Sequence, residues 1–263
     1  MFRNLSPVVK NLLLINIGIF FIGSFLRINF AESFGLRNPI SPAFEPWQFF
    51  SYMFIHGGLG HLFGNMFALF IFGPLLEHFW GPKRFLIYYL VTGLGAGIIY
   101  AGVNYLDMRG MRTDAASYVV SPNPDDFSRF VSKHSSGLYT QLYDFIDDFD
   151  RNPESIGLQE ESKSIVQTIY NRYSNIPMVG ASGAIFGILI AFALMFPNTE
   201  LFLLFFPFPI KAKYFVGMYI LYEIYAEFSR TPGDNVAHLA HLAGALVGFI
   251  MIWKWRKDRT RFY

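Results

Sequence analysis

The chain has 263 residues, of which 53% are hydrophobic, 19% aromatic and only 15% charged, and its mean hydropathy is positive. This balance excludes an ordinary soluble domain and points to a polytopic membrane protein, while a net charge of +2 is too small to argue for a nucleic-acid partner. Cysteine is absent, which rules out disulfides, a thiol nucleophile and a thiolate metal site.

A helix needs about twenty apolar residues to cross a hydrocarbon core about 30 Å thick. In chain order, six stretches approach that length: residues 11–28, 58–79, 84–106, 179–196, 211–230 and 236–255. The first follows Arg3 and Lys10, as the core of a signal peptide would, but no small-x-small cleavage site follows Leu26, so it reads as an uncleaved first span. Between the third and fourth stretches, residues 107–175 turn polar and carry eleven acidic against seven basic residues. Within them LYTQLYDFIDDF and ESKSIVQTIYNRY repeat apolar residues at spacings of three and four, which predicts two amphipathic helices in an inserted soluble piece. The chain therefore divides into residues 1–106 with spans one to three, the insertion 107–175, and residues 176–263 with spans four to six and a basic tail.

Lysine and arginine in short loops stay on the cytoplasmic side. With the N-terminus inside, eleven basic residues (Arg3, Lys10, Lys83, Arg84, Lys211, Lys213, Lys254, Arg256, Lys257, Arg259 and Arg261) fall inside, against Arg27, Arg37 and Arg230 outside. Both termini are expected in the cytoplasm and the insertion on the outer face.

Polar residues inside apolar spans are expensive, and here they cluster. The second span opens GGLGHLFGNMFALF, with His61 and Asn65 four apart on one face; the fourth opens GASG around Ser182; the sixth opens NVAHLAHLAGALVG with His238 and His241. All three spans run from outside to inside, so these residues are expected at about 5 to 10 Å depth on the same side. Small residues every fourth position (Gly60, Gly64 and Ala68; Gly183 and Gly187; Ala240, Gly244 and Gly248) let the helices approach closely, and His241 shares the face of Gly244 and Gly248. A serine hydroxyl beside a neutral imidazole is an activated nucleophile, and the unpaired N–H of a serine in a helix's first turn, with the side chains of His61 and Asn65, would meet a developing oxyanion.

HLFGN at 61–65, GASG at 180–183 and AHLAGALVG at 240–248, in this order and on these spans, make the sequence resemble the rhomboid intramembrane serine proteases. Lesser similarities are Trp47 with His56 nine residues on, Glu77 followed by Gly81, and PFPIKAKY at 207–214. The resemblance covers the six-span core and not residues 107–175. It implies an all-α, six-transmembrane-helix rhomboid fold that cleaves a peptide bond in or beside the transmembrane segment of membrane-anchored protein substrates by a Ser-His dyad, without cofactor, metal or a catalytic aspartate. The roles implied are Ser182 as nucleophile, His241 as general base, and His61, Asn65 and the Ser182 N–H as oxyanion donors, with Gly180, Gly183, Phe186, Gly244 and His56 in support. The family's AHxxG pattern selects His241 over His238. Phe186 stands where the family often has a tyrosine under the histidine, and Gln48 where an arginine commonly follows the loop tryptophan.

Other readings attach to the same residues. Ser182 and Asn65 also suit interhelical hydrogen bonding, His238 a structural place near the surface, His56 the outer end of span two, His78 a snorkelling one, and Glu77 a pair with Lys83 or Arg84. Glu223 and Glu227, four apart and with Glu223 near mid-membrane, mark either a wetted inner face or a polar edge on a substrate path. Histidines 56, 61, 238 and 241 with Glu227 would also serve a metal transporter or metal-dependent protein, and a non-catalytic rhomboid-like client-binding protein is a third class. The compact six-span form points to a bacterial plasma membrane, with the active site opening to the extracytoplasmic side. The insertion, joined directly to span four, is expected over or beside that site, where it would restrict or recruit substrates.

Overall fold

A computed structural model describes residues 5–202, 208–229 and 236–259. In chain order the elements are α1 (Pro7–Leu26), α2 (Phe30–Phe34), α3 (Gln48–Ser51) continued by a 3-10 turn (Tyr52–Phe54), α4 (Leu59–Trp80), α5 (Pro82–Val120), α6 (Pro124–His134), α7 (Ser136–Tyr139), α8 (Tyr143–Arg151), α9 (Ile156–Asn175), α10 (Ser182–Met195), β1 (Glu200–Leu201), β2 (Ile210–Lys211), α11 (Ala212–Ser229) and α12 (His238–Arg259). The two short strands pair antiparallel, Glu200 opposite Lys211. Arg3, Pro207, Arg230 and Arg261, used in the sequence reading, lie outside the described residues.

Among the described residues, four helices are long and apolar enough to cross a membrane: α1, α4, α5 and the first eighteen residues of α12. The stretch read as span four begins its helix only at Ser182, and α10 has 14 residues, about 21 Å at 1.5 Å per residue. The cause is local. Gly180 takes φ +127°, a backbone region that side chains disfavour, and Met178 pairs with Leu36 through two 2.8 Å backbone hydrogen bonds, which holds the chain extended up to the serine.

The chain forms two compact units, residues 1–36 with 45–100 and 177–263, and residues 37–44 with 101–176. In the first, α10 packs against α12, α4 and α11, and α1 packs against α4. The start of α1 is closed by a carboxylate from the end of α4: Glu77 is 2% exposed and accepts from the N–H groups of Val8 (3.0 Å) and Val9 (2.9 Å). This replaces the expected pair with Lys83 or Arg84, because the orphan donors of a helix N-terminus and its positive dipole end offer a buried carboxylate more than a side chain at the exposed boundary does. His78 is exposed.

The second unit is built around rings. Phe127, Phe130 and Val131 of α6, Phe149 of α8, Val166 and Ile169 of α9, and Met108, Met111, Ala115 and Tyr118 of α5 bury together. Here α5 runs past the composition change at residue 107, and α6 stands beside the two helices expected from periodicity. Its start is written in NPDD: Asn123 accepts from the Asp126 N–H at 2.9 Å, Pro124 fills the first turn, and Asp125 and Asp126 face the dipole.

Candidate active site

The site is assembled by helix backbones in contact. A Cβ added at Gly244 would run into the Gly183 backbone carbonyl, one added at Gly248 would lie 3.0 Å from the Gly187 Cα, and one added at Gly187 would lie 2.7 Å from Thr92. Because 183 meets 244 and 187 meets 248, α10 and α12 run parallel and in step along this seam. Ser182 at the head of α10 and His241, one turn before Gly244, therefore lie at matching levels. Tyr88 of α5 locks the seam by donating its hydroxyl to the Gly187 carbonyl at 2.7 Å.

Phe186 lies one turn below Ser182 and its ring stacks on His241, with centroids 4.4 Å apart and planes 10° from parallel. The other lock on His241 is Glu223 of α11. One carboxylate oxygen, Oε2, lies 2.8 Å from His241 Nδ1 and 2.6 Å from His238 Nδ1, and the three residues are 2%, 5% and 8% exposed for Glu223, His238 and His241. Periodicity placed Glu223 and Glu227 on one face but gave neither a partner. Glu223 is buried between two histidines, while Glu227 is only half-buried.

On the opposite side stands α4. A Cβ at Gly180 would lie 2.6 Å from His61 Cε1 and Nε2 and 3.5 Å from Ser182 Oγ, so the imidazole of His61 and the serine hydroxyl flank the same small space. Only glycine suits position 180, on both conformation and room. His56 is buried edge-on to His61 with centroids 5.2 Å apart. Asn65, one turn further along α4, is buried, and its Nδ2 has no hydrogen-bond partner, an orphan donor of the kind that native structures seldom keep without use. The floor of the preceding loop is fixed by the Gly180 N–H donating to the Tyr52 carbonyl at 2.9 Å and the Tyr52 hydroxyl to the Gly93 carbonyl at 2.7 Å. Gln48 is buried and donates to the Ser33 carbonyl.

Chemically, the arrangement offers a half-buried hydroxyl, an imidazole with a fixed plane, and donors arriving from α4 and from the first turn of α10. Glu223, His238 and His241 also bring three metal-ligand types of atom within 4.8 Å of one another. A zinc ion stands about 2 Å from each donor. The present contacts to one oxygen are hydrogen-bond lengths, so these groups would have to move apart to hold one.

A family model of the rhomboid domain matches residues 43–117 and 160–258. The chain belongs to the rhomboid family. Rhomboid relatives include the chloroplastic rhomboid-like protein 11 of Arabidopsis thaliana, 24% identical over 92% of this chain and 63% of its own length. Also similar are the mitochondrial rhomboid-like protein 12 of the same plant, at 25% over 97% and 60%, and an uncharacterised mitochondrial rhomboid protein of Schizosaccharomyces pombe, at 26% over 78% and 49%. The chain thus spans about half to two thirds of the length of these curated relatives. These relatives are chloroplastic and mitochondrial proteins by name, and the expected bacterial plasma membrane finds no support among them. The rhomboid match leaves residues 118–159 uncovered.

Proposed function

We propose that the protein is an intramembrane serine protease that hydrolyses a peptide bond within or next to the transmembrane segment of membrane-anchored proteins. The observation that carries this reading is the seam of α10 and α12, which brings Ser182, at the first residue of its helix, to the level of a His241 imidazole clamped by Phe186. In this reading Ser182 Oγ attacks the scissile carbonyl carbon while its proton passes to His241 Nε2. The carbonyl oxygen becomes an oxyanion met by the Ser182 N–H, the unpartnered Asn65 amide and His61. As the C–N bond breaks, His241 returns the proton to the leaving amine. A water then repeats the sequence on the acyl-enzyme, and the proton that His241 takes from it goes back to Ser182.

The membrane arrangement belongs to the same proposal: six spans, with α10 and α11 completing the four longer helices, both termini on one side, and the site opening to the other. A helix of about 21 Å that starts at Ser182 stops short of crossing a core of about 30 Å, which leaves the serine beneath a path for water. Residues 107–175 then form an extracytoplasmic insertion between spans three and four that restricts or recruits substrates. Deleting residues 110–172 should change cleavage of a membrane substrate more than reaction with a small probe, and equal effects would remove this role.

The test is covalent labelling by a fluorophosphonate of wild type, Ser182→Ala, His238→Ala and His241→Ala in detergent. Labelling is expected at Ser182, abolished by loss of Ser182 or His241 and retained without His238. Folded wild type that never labels, while a known rhomboid does, would overturn the reading. The cluster of Glu223, His238 and His241 favours a metal-binding function as the second reading, and stoichiometric zinc in pure protein with chelator-sensitive function would select it.

A further inference from the structure

We propose that Glu223 is a positioning residue for this reaction: it holds His241 with its ring proton on Nδ1, so that Nε2 is left as the lone pair that receives the proton of Ser182. The inference rests on the protease reading and deepens it from a serine and a histidine to a serine, a histidine and a glutamate, with His238 as a second arm on the carboxylate.

The geometry is specific. With Glu223 ionised its carboxylate only accepts hydrogen bonds, and in that state contacts of 2.6 and 2.8 Å to one oxygen have both Nδ1 atoms donating. A neutral imidazole protonated at Nδ1 is bare at Nε2, and the tautomer of a histidine base is set in this way by the bond that its other nitrogen makes. Phe186 fixes the ring plane and Glu223 the rotation within it, so the lone pair has one direction. Once Nε2 accepts the serine's proton, the imidazolium forms against a carboxylate already in contact, without rearrangement. His238 donates to the same oxygen and so restrains the carboxylate from the far side, and Tyr222 packs edge-on against His238 at 6.3 Å. Glu223 comes from α11, and its carboxylate is 2% exposed, a burial that a glutamate sustains only with partners of this kind.

Two measurements test it. Nitrogen chemical shifts of ¹⁵N-labelled wild-type histidines at neutral pH should report His241 as the Nδ1–H tautomer; an Nε2–H tautomer overturns the proposal without any substitution. Steady-state kinetics on a transmembrane substrate should show Glu223→Gln lowering kcat by about 10²- to 10⁴-fold with KM little changed, since an amide can donate to Nδ1 and so favours the wrong tautomer. Glu223→Asp should recover part of that loss, because the shorter carboxylate still accepts. A folded Glu223→Gln variant that keeps the wild-type kcat overturns the role of Glu223 while Ser182 labelling still supports the protease, whereas wild type that fails to label at Ser182 removes the protease reading itself.

Discussion

The two units of this chain share buried rings but differ in how closely their backbones approach. In the first, helix backbones meet at glycines, Gly183 on Gly244 and Gly187 on Gly248, with tyrosine hydroxyls on carbonyls and ring pairs such as Phe72 and Phe192 between the helices. In the second, Phe127 meets Phe145 at 5.3 Å and Phe149 at 6.3 Å, and the aromatic bodies fill the middle. The first unit carries helices long and apolar enough to cross a membrane, while residues 107–175 of the second are polar in composition. Lipid tails are as apolar as leucine, so helices among them gain little by hiding large side chains and associate through close packing and polar contacts. A polar unit in water gains in proportion to the apolar area that it removes, and rings remove the most.

The contrast can be broken at its strongest point first. Phe127→Ala should cost the second unit about 3–5 kcal/mol, because it empties a fully buried ring position. Limited proteolysis should then open residues 101–176 while fluorophosphonate labelling of Ser182 persists. Gly244→Ala, a gain of one methyl, should cost about 1–3 kcal/mol by forcing α10 from α12. It should also lower the labelling rate, since the same seam aligns Ser182 with His241. If Gly244→Ala labels as wild type does, close backbone contact is not what sets the site. Glu77→Ala should cost about 1–2 kcal/mol through the loss of the cap on α1, read as a lower melting temperature with little change in labelling.

The smallest effect is one of acidity in the second unit. Asp114 lies on α5 beyond the stretch read as the third span. Partial burial pushes its carboxyl up, but Lys133 at 2.6 Å and His134 at 2.7 Å outweigh that and hold it below its ordinary value of 3.8. A carboxyl lowered in the folded state contributes stability above its unfolded value, and that contribution fades as the pH falls through the folded one. Urea unfolding of the second unit should therefore weaken below about pH 4, and Asp114→Asn should flatten that part of the profile.

What could be read from the sequence divides along physical lines. Ser182, His61, Asn65 and His241 could be singled out because a polar group in an apolar run is costly wherever it points, and helical spacing fixes its face. Glu223 was equally conspicuous, yet its partners lie 15 and 18 residues away in another helix, and periodicity names a face without naming what covers it. The same limit hid Glu77, whose partners are 68 and 69 residues distant. The end of α5 was missed for a different reason: residue 107 marks a change in hydropathy, while the backbone between 107 and 120 has neither proline nor another strong breaker beyond Gly110. The start of α6 was legible in Asn123, Pro124 and the two aspartates, a capping signal independent of periodicity.

The capped start of α1 has a consequence for how the chain is made. Val8 and Val9 leave the ribosome almost seventy residues ahead of the carboxylate that accepts their N–H groups. Until Glu77 has been synthesised, those donors lack the carboxylate that accepts them in the folded chain. The docking of α1 is thereby tied to α4, and the start of one helix is fixed to the end of the other across almost seventy residues of sequence.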